Sequence, residues 1–138
     1  MGRRRAREVA LQVLFEVDVG QTDPEAAFRA AIVREEVPEK ETEFVARLVR
    51  GTLERVDEID YRLSQLATDW SLDRMANVDR NVLRLATVEM LFLEDVPINV
   101  SINEAVELAK AYGTAESGKF VNGILGNLVR QYSNVPGT

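Results

Sequence analysis

The stretch that decides the fold is DRNVLRLATVEMLFLE, residues 79–94. Nine of its sixteen side chains are apolar, and on a helix they cover nearly every side. A helix that is apolar all round is usually buried at the centre of a protein. The sequence therefore predicts a central helix here, with amphipathic helices packed around it.

Amphipathic helices are predicted on the N-terminal side of this stretch. Apolar residues recur every three or four positions over residues 3–19, which is the spacing of one helix face. Asp23 followed by Pro24 is typical of a helix start and predicts a second helix to about residue 36. The same spacing continues over residues 39–67, where Gly51 leaves open whether one long helix or two shorter helices form.

Two further helices are predicted on the C-terminal side. Pro97 ends the central helix, and Ser101 to Glu104 match a capping box, in which a Ser and a Glu side chain accept hydrogen bonds at a helix start. Thr114 can cap a last helix that ends near Tyr132, and the tail 133–138 is expected to fray. No alternating strand pattern of useful length occurs. The 138 residues are therefore predicted to form a single all-α domain, a compact bundle of about seven helices.

The composition excludes several classes of site. Cys and His are absent, which rules out disulfides, thiolate nucleophiles, zinc sites built from these residues and a His general base. The usual phosphate-loop and nucleophile-elbow motifs are also missing. No apolar run reaches the roughly 18–20 residues of a membrane span, and the N-terminal region lacks the pattern of a secretory signal. We therefore expect a soluble, intracellular protein that needs no metal, cofactor or redox chemistry, and no group of residues suggests catalysis.

Charge is unevenly distributed along the chain. Its 17 Lys and Arg residues and 23 Asp and Glu residues give a net charge of −6. Four arginines nevertheless fall within the first seven residues, which contain no acid: Arg3, Arg4, Arg5 and Arg7. On a helical wheel Phe15 and Leu11 fall beside this run, outside the apolar stripe. Guanidinium groups beside an exposed ring are typical of surfaces for single-stranded RNA, and a solvated basic leader is the alternative.

Two other segments carry polar groups outside the apolar faces. In the last helix, Gly123 and Gly126 lie on the same side as Lys119, which predicts either a close contact with another helix or a phosphate site. Trp70 falls outside any regular period. It either anchors a partner protein together with the charges that follow it or fills the end of the bundle.

Three blocks of sequence together resemble the NusB family of bacterial transcription antitermination factors. They are RRRAREVALQVLF at residues 3–15, DRNVLRLATVE at residues 79–89, and PINVSINEAVELAK at residues 97–110 with KFVNGIL at residues 119–125. The resemblance spans essentially the whole chain. It implies an all-helical fold of two small helical subdomains, whose boundary we place near residues 68–78, where no long period is present.

The resemblance also implies a binding role in the cytoplasm and that the protein is not an enzyme. Members of the family bind the boxA element of nascent ribosomal RNA together with NusE, a small-subunit ribosomal protein, and help to assemble a termination-resistant complex on RNA polymerase. The RNA contacts expected by motif are the four arginines, Phe15 and a group near the last helix: Tyr112, Thr114, Glu116, Lys119 and Phe120. The surface for NusE is expected at Trp70, Asp73, Arg74, Asp79 and Arg80.

Two alternatives to this role remain open. The first is a protein-binding scaffold without direct RNA contact, in which the acidic body recruits a basic partner and the arginines are incidental. The second is an accessory domain of an enzyme, because similar helical domains occur fused to RNA methyltransferases. Some family members self-associate through the RNA-binding face, so a homodimer is a further possibility. No membrane partner is expected.

Overall fold

The computed structural model describes residues 2–67, 74–93 and 95–133, and within these ranges it contains seven helices and no strand. This confirms the predicted all-α class. The helices are α1 (Arg3–Asp18), α2 (Pro24–Arg34), α3 (Glu39–Glu54), α4 (Val56–Leu66), α5 (Asn77–Phe92), α6 (Ile98–Tyr112) and α7 (Ser117–Ser133). The chain forms two compact units, Met1–Arg55 and Val56–Thr138. No helix in the described ranges is long and apolar enough to cross a membrane.

In the first unit, α1 packs against both α2 and α3. Most of its apolar stripe is buried, and Val9, Ala10 and Val13 have no exposed surface. The predicted start of α2 is confirmed: the Asp23 side chain accepts a hydrogen bond from the Ala26 backbone N–H at 3.1 Å, and proline is the first helical residue. By contrast, α1 begins without a side-chain cap and without an acid in its first turn.

In the second unit, α5 contacts α4, α6 and α7. Its apolar residues are buried on several sides, including Val82, Leu83 and Val88, so the prediction of a central helix is confirmed. Helix α4 is joined to α5 by Arg84, whose Nε and Nη2 atoms each donate a hydrogen bond to the Asp60 carboxylate at 2.8 Å.

The stretch 39–67 is divided at Arg55, where α3 ends and α4 begins, while Gly51 lies inside α3. The two units also divide at this point, ahead of residues 68–78, where the sequence placed the boundary. The reason is that α4 packs against α5 and α7, which assigns it to the second unit.

The capping box predicted at residues 101–104 is wrong. Helix α6 begins one turn earlier, after Pro97, and Ser101 lies inside it with no exposed surface. The Ser101 hydroxyl instead donates a hydrogen bond to Glu89 at 3.2 Å, and Glu89 is itself buried on α5. A buried carboxylate requires donors, and this requirement accounts for the serine.

Candidate nucleic-acid interface

The four arginines of α1 have different surroundings. Arg3 and Arg4 are exposed, Arg5 is half-buried, and Arg7 is only 3% exposed. Successive side chains of an α-helix point about 100° apart, so a run in sequence spreads over several directions in space. The sequence predicts one RNA surface from these four residues, whereas in the structure only Arg3 and Arg4 are exposed.

Arg3 and Arg7 lie over the same aromatic ring. Their Cζ atoms are 4.3 Å and 5.4 Å from the ring centroid of Phe44, which is buried on α3. A cation over a ring face contributes roughly 0.5–1 kcal/mol when exposed and about 2 kcal/mol or more when desolvated. Arg7, being buried, therefore helps to hold α1 against α3, while Arg3 makes its ring contact at the surface.

Arg5 is tied to the C-terminal end of α2. Its guanidinium donates hydrogen bonds to Glu35 and, at 3.2 Å, to Glu8. Burial opposes the charge of Arg5, but the Glu35 and Glu8 carboxylates outweigh this effect and raise the pKa of the guanidinium. The pKa of Glu35 is lowered by the hydrogen bond from Gln12 and, against desolvation, by Arg5 and Arg34. Arg5 therefore serves the contact between α1 and α2.

Arg4 and Phe15 lie on one face of α1, because eleven residues are close to three whole turns, about 16 Å along the axis. Phe15 is 38% exposed. Leu11, which the wheel placed on the same outer side, is buried, so that prediction is wrong. We call Arg3, Arg4 and Phe15, all exposed on α1, the arginine surface.

A cavity of about 330 Å³ lies in the second unit, where the start of α5 faces the start of α7. Asp79 in its wall is 8% exposed, and Asp79 Oδ1 has no hydrogen-bond partner within the part of the chain that the structure describes. The cavity is lined by Arg74, Met75, Ala76, Asp79, Glu116 and Phe120. Its volume is at the lower end of the range of about 300–1,000 Å³ that is usual for small-ligand sites.

The connection between α6 and α7 fixes two of these side chains. A Cβ atom at Gly113 would stand 2.7 Å from the Ala109 carbonyl oxygen and closer still to Ser117 Oγ, so the turn requires glycine. The Thr114 backbone N–H donates a hydrogen bond to Ser117 Oγ at 2.9 Å. The turn thereby sets where α7 begins, and Glu116 and Phe120, four residues apart, both line the cavity.

The residues that line the cavity include one aromatic residue, two acids and one arginine. Unstacked nucleobases are commonly held by stacking on an aromatic side chain and by hydrogen bonds to their edges. Carboxylate oxygens accept hydrogen bonds from the amino groups of bases. The chemistry of the cavity therefore suits a flat ligand that carries N–H donors.

The structure brings together residues that the sequence assigned to different partners. Arg74 and Asp79, predicted for NusE, line the same cavity as Glu116 and Phe120, predicted for RNA. Arg80 donates a hydrogen bond to Asn77 at 2.7 Å. The other predicted residues near α7 are exposed and do not line the cavity: Tyr112, Thr114 and Lys119. Trp70, Asp73 and the tail beyond Ser133 lie outside the described residues.

Within the described ranges, the close helix contact predicted at the two glycines of α7 is absent. Apart from the neighbouring backbone of α7 itself, no described atom lies within 4 Å of a Cβ atom placed on Gly123, and only the Arg130 side chain does so at Gly126. The sequence also missed the contact of Phe44 with two arginines. Its apolar spacing marked it as a core residue, and no local signal pointed to arginines forty positions earlier.

Comparisons with known proteins agree with this architecture. A sequence model of the NusB family matches residues 4–130. The chain is 54% identical to the transcription antitermination protein NusB of Pelotomaculum thermopropionicum, over 94% of the chain and 90% of the relative. The solved structure of T. maritima NusB is 43% identical, with a TM-score of 0.89 and coverage of 95% of this chain and 92% of the other.

A second solved structure contains a partner and RNA. It is described as the antitermination factors NusB and NusE in complex with dsRNA, and its matching chain is 30% identical with a TM-score of 0.87. The match covers 96% of this chain and all of that one. Sequence and fold thus agree along almost the full length, and this chain belongs to the NusB family.

Proposed function

We propose that this protein is a transcription antitermination factor that binds boxA-like single-stranded RNA together with NusE and has no catalytic activity of its own. The observation that carries the proposal is the cavity of the second unit, where Phe120, Glu116 and the buried Asp79 lie together. The printed names of its relatives, and the solved structure of a relative with NusE and RNA, support the same role.

The cavity receives one unstacked base. Stacking of a base on an aromatic side chain contributes about 1–3 kcal/mol, and Phe120 supplies the ring. Asp79 Oδ1 has no hydrogen-bond partner among the described residues and is shielded from solvent, so a base N–H reaches it only when the Asp79 side chain turns towards the cavity. That hydrogen bond would recover the roughly 1–3 kcal/mol that an unpaired buried acceptor costs. The carboxylate of Glu116 repels phosphate, but it accepts hydrogen bonds from an exocyclic amino group. The cavity therefore favours bases that carry such groups.

The arginine surface binds phosphates. Arg3 and Arg4 are exposed on a helix start without acids, and Lys119 is exposed on α7. Phosphate contacts give affinity and register but do not read sequence. Phe15 offers a ring for a further base. Arg5 and Arg7 hold α1 to its neighbours, so we assign them an indirect part in RNA binding.

The proposed role includes two protein partners. NusE contacts the residues that follow the undescribed segment 68–73, among them Arg74 and Arg80, and the joint complex assembles on RNA polymerase. Because bacterial transcription takes place in the cytoplasm, the role places the protein there. In this proposal NusE and RNA use neighbouring parts of the second unit, since Arg74 and Asp79 share the cavity wall with Phe120.

A binding titration tests the proposal. Labelled boxA-like RNA, a scrambled strand of equal composition and a boxA duplex are titrated at 50 and 200 mM salt, with and without NusE. About three phosphate contacts predict a slope near −2 for log affinity against log salt, a loss of roughly 15-fold over this range. A slope near zero would contradict the role of the arginines. Equal affinity for all three RNAs would contradict base reading, and no RNA binding with NusE present would favour the protein-binding scaffold.

Self-association is tested in the same samples. A homodimer formed through the RNA-binding face would compete with RNA, so its apparent RNA affinity would fall as the protein concentration rises. Light scattering of the free protein and of the RNA complex measures this directly. A dimer that persists unchanged in the complex would show that the two surfaces are separate.

A further inference from the structure

We propose that the RNA strand continues from the cavity along the outer side of α7, where Arg130 contacts a phosphate beyond Lys119. The inference rests on the proposed RNA binding and deepens it. It adds a phosphate contact near the end of α7, which neither the sequence motifs nor the cavity includes, and it gives the strand a path over the second unit.

The first ground is the alignment of residues on α7. Residues at steps of four, three and four positions share one face of a helix, and here they are Lys119, Gly123, Gly126 and Arg130. We call these four residues the α7 face. Gly126 is half-buried, and the other three are exposed. Because the two middle residues are glycines, no side chain of the α7 face stands between the two cations.

The second ground is the position of the Arg130 guanidinium group. Its Nη2 atom donates a hydrogen bond to Asn127 Oδ1, and its Nη1 atom would lie 3.6 Å from a Cβ atom placed on Gly126. The side chain therefore lies back along α7 towards Lys119, over the bare backbone of Gly126. Gly126 is seven residues from Lys119, which is about 10 Å along the helix axis. Both cations can thus contact phosphates of one strand.

The third ground is charge. Of the seven helices in the described ranges, α7 alone contains no Asp or Glu, in a protein whose net charge is −6. Within those ranges Lys119 has no carboxylate partner, and Arg130 has only the neutral Asn127. Cations that no carboxylate neutralises attract a polyanion. Because Phe120, the residue after Lys119, lines the cavity, the α7 face is continuous with the proposed base site.

Arg130→Gln tests the inference, because it removes the charge but keeps a side-chain amide near Asn127. Affinity for boxA-like RNA is measured at 50 and 200 mM salt. Each phosphate contact on a single strand contributes about −0.7 to the slope of log affinity against log salt, so four contacts predict about −2.8 for the wild type and about −2.1 for the variant. At 50 mM salt the variant should bind about five-fold more weakly. A wild-type slope near −2 that Arg130→Gln leaves unchanged would overturn the inference and leave the proposed function standing.

Two further variants serve as controls. Asn127→Asp keeps an acceptor for Arg130 but adds a carboxylate that competes with phosphate, so it should weaken RNA binding without lowering the Tm. Arg62→Gln removes the same charge from α4 of the same unit, where Arg62 pairs with Glu58 at 3.6 Å, and it should bind RNA like the wild type. Equal losses in Arg62→Gln and Arg130→Gln would reduce the effect to net charge and overturn the inference. Unchanged RNA binding by Asn127→Asp would overturn it as well.

Shortened strands test the path. Removing nucleotides from one end of the boxA-like RNA should abolish the difference between the wild type and Arg130→Gln, and removing them from the other end should preserve it. A difference that survives shortening from either end would contradict a path beyond the cavity. If Arg130→Gln weakens binding of NusE but not of RNA, the α7 face receives a protein and the inference fails. If the wild type does not bind RNA, the inference and the proposed function both fail.

Discussion

The arginine surface of the first unit and the cavity of the second unit use opposite chemistry. The former consists of exposed side chains of α1, whose first turn holds no acid, whereas the latter is lined by two acids and a half-buried phenylalanine. Cations on phosphates give affinity that depends on salt and ignores sequence, while acceptors and rings facing bases give selectivity. Under the proposed function, affinity and selectivity would therefore reside on different residues and could be changed separately.

The largest expected effect separates the buried arginine from the exposed ones. Arg7→Ala removes a buried side chain that lies over Phe44, and we expect the free energy of unfolding to fall by about 2 kcal/mol. Arg4→Ala, the exposed control, should change stability by less than about 0.5 kcal/mol. Denaturant unfolding of both variants measures the difference. If Arg7→Ala and Arg4→Ala have the same free energy of unfolding, Arg7 does not hold α1 in place and belongs to the arginine surface.

The next effect tests the cavity. Phe120→Ala removes the stacking ring, so affinity for boxA-like RNA should fall about 10-fold, and the preference over the scrambled strand should fall with it. The slope of log affinity against log salt should stay as in the wild type, because no phosphate contact is lost. Fluorescence titrations at two salt concentrations measure both quantities. If Phe120→Ala changes the salt slope but keeps the preference for boxA-like RNA, the cavity binds phosphates and the arginine surface provides the selectivity.

A smaller effect concerns the open side of α7. Gly123→Ala meets no described atom within 4 Å, so helix propensity alone should raise the free energy of unfolding by about 0.8–1 kcal/mol. RNA affinity should not change. Thermal and denaturant unfolding, with one RNA titration, check this result. If Gly123→Ala is more stable but binds RNA more weakly, the exposed backbone of α7 at Gly123 contacts the RNA.

The smallest effect concerns Glu35, whose pKa is lowered by Gln12, Arg5 and Arg34. A lowered carboxyl pKa stabilises the folded state above the unfolded value, about 4.3, and this contribution disappears as the pH falls through the folded value. The difference in Tm between wild type and Glu35→Gln should therefore be largest above pH 5 and shrink towards pH 3. A Tm difference that does not change with pH would show that the charge of Glu35 does not stabilise its contact with Arg5. Arg5 would then be assigned to the arginine surface.

Local patterns predicted the helices well because their causes are local. The cap at Asp23 and the all-round apolar helix depend on neighbours within a few residues. Ser101 shows the limit, since its sequence context matched a cap but its hydroxyl partner, Glu89, lies on another helix. The break between α3 and α4 shows the same limit, because Gly51 is tolerated within α3 while the chain turns at Arg55.

The residues of the candidate site could be proposed from composition and motif, but their spatial arrangement could not. A helical wheel gives directions around α1, yet the partners of Arg5 and Arg3 are Glu35 and Phe44, thirty and more positions away. Rules of residue spacing along a helix do not predict pairs that are this far apart in sequence. Asp79 and Phe120 line the same cavity, whereas the sequence motifs assign Asp79 to NusE and Phe120 to RNA.

Gly113 has a consequence for how this sequence can vary over time. Any side chain there would collide with Ala109 and Ser117, whereas Ala115, two positions on, is exposed. In a saturation library selected for folding, position 113 should retain glycine while position 115 drifts freely. Evolution can therefore remodel the rim of the cavity through its side chains, while the length and path of the turn that carries them stay constant.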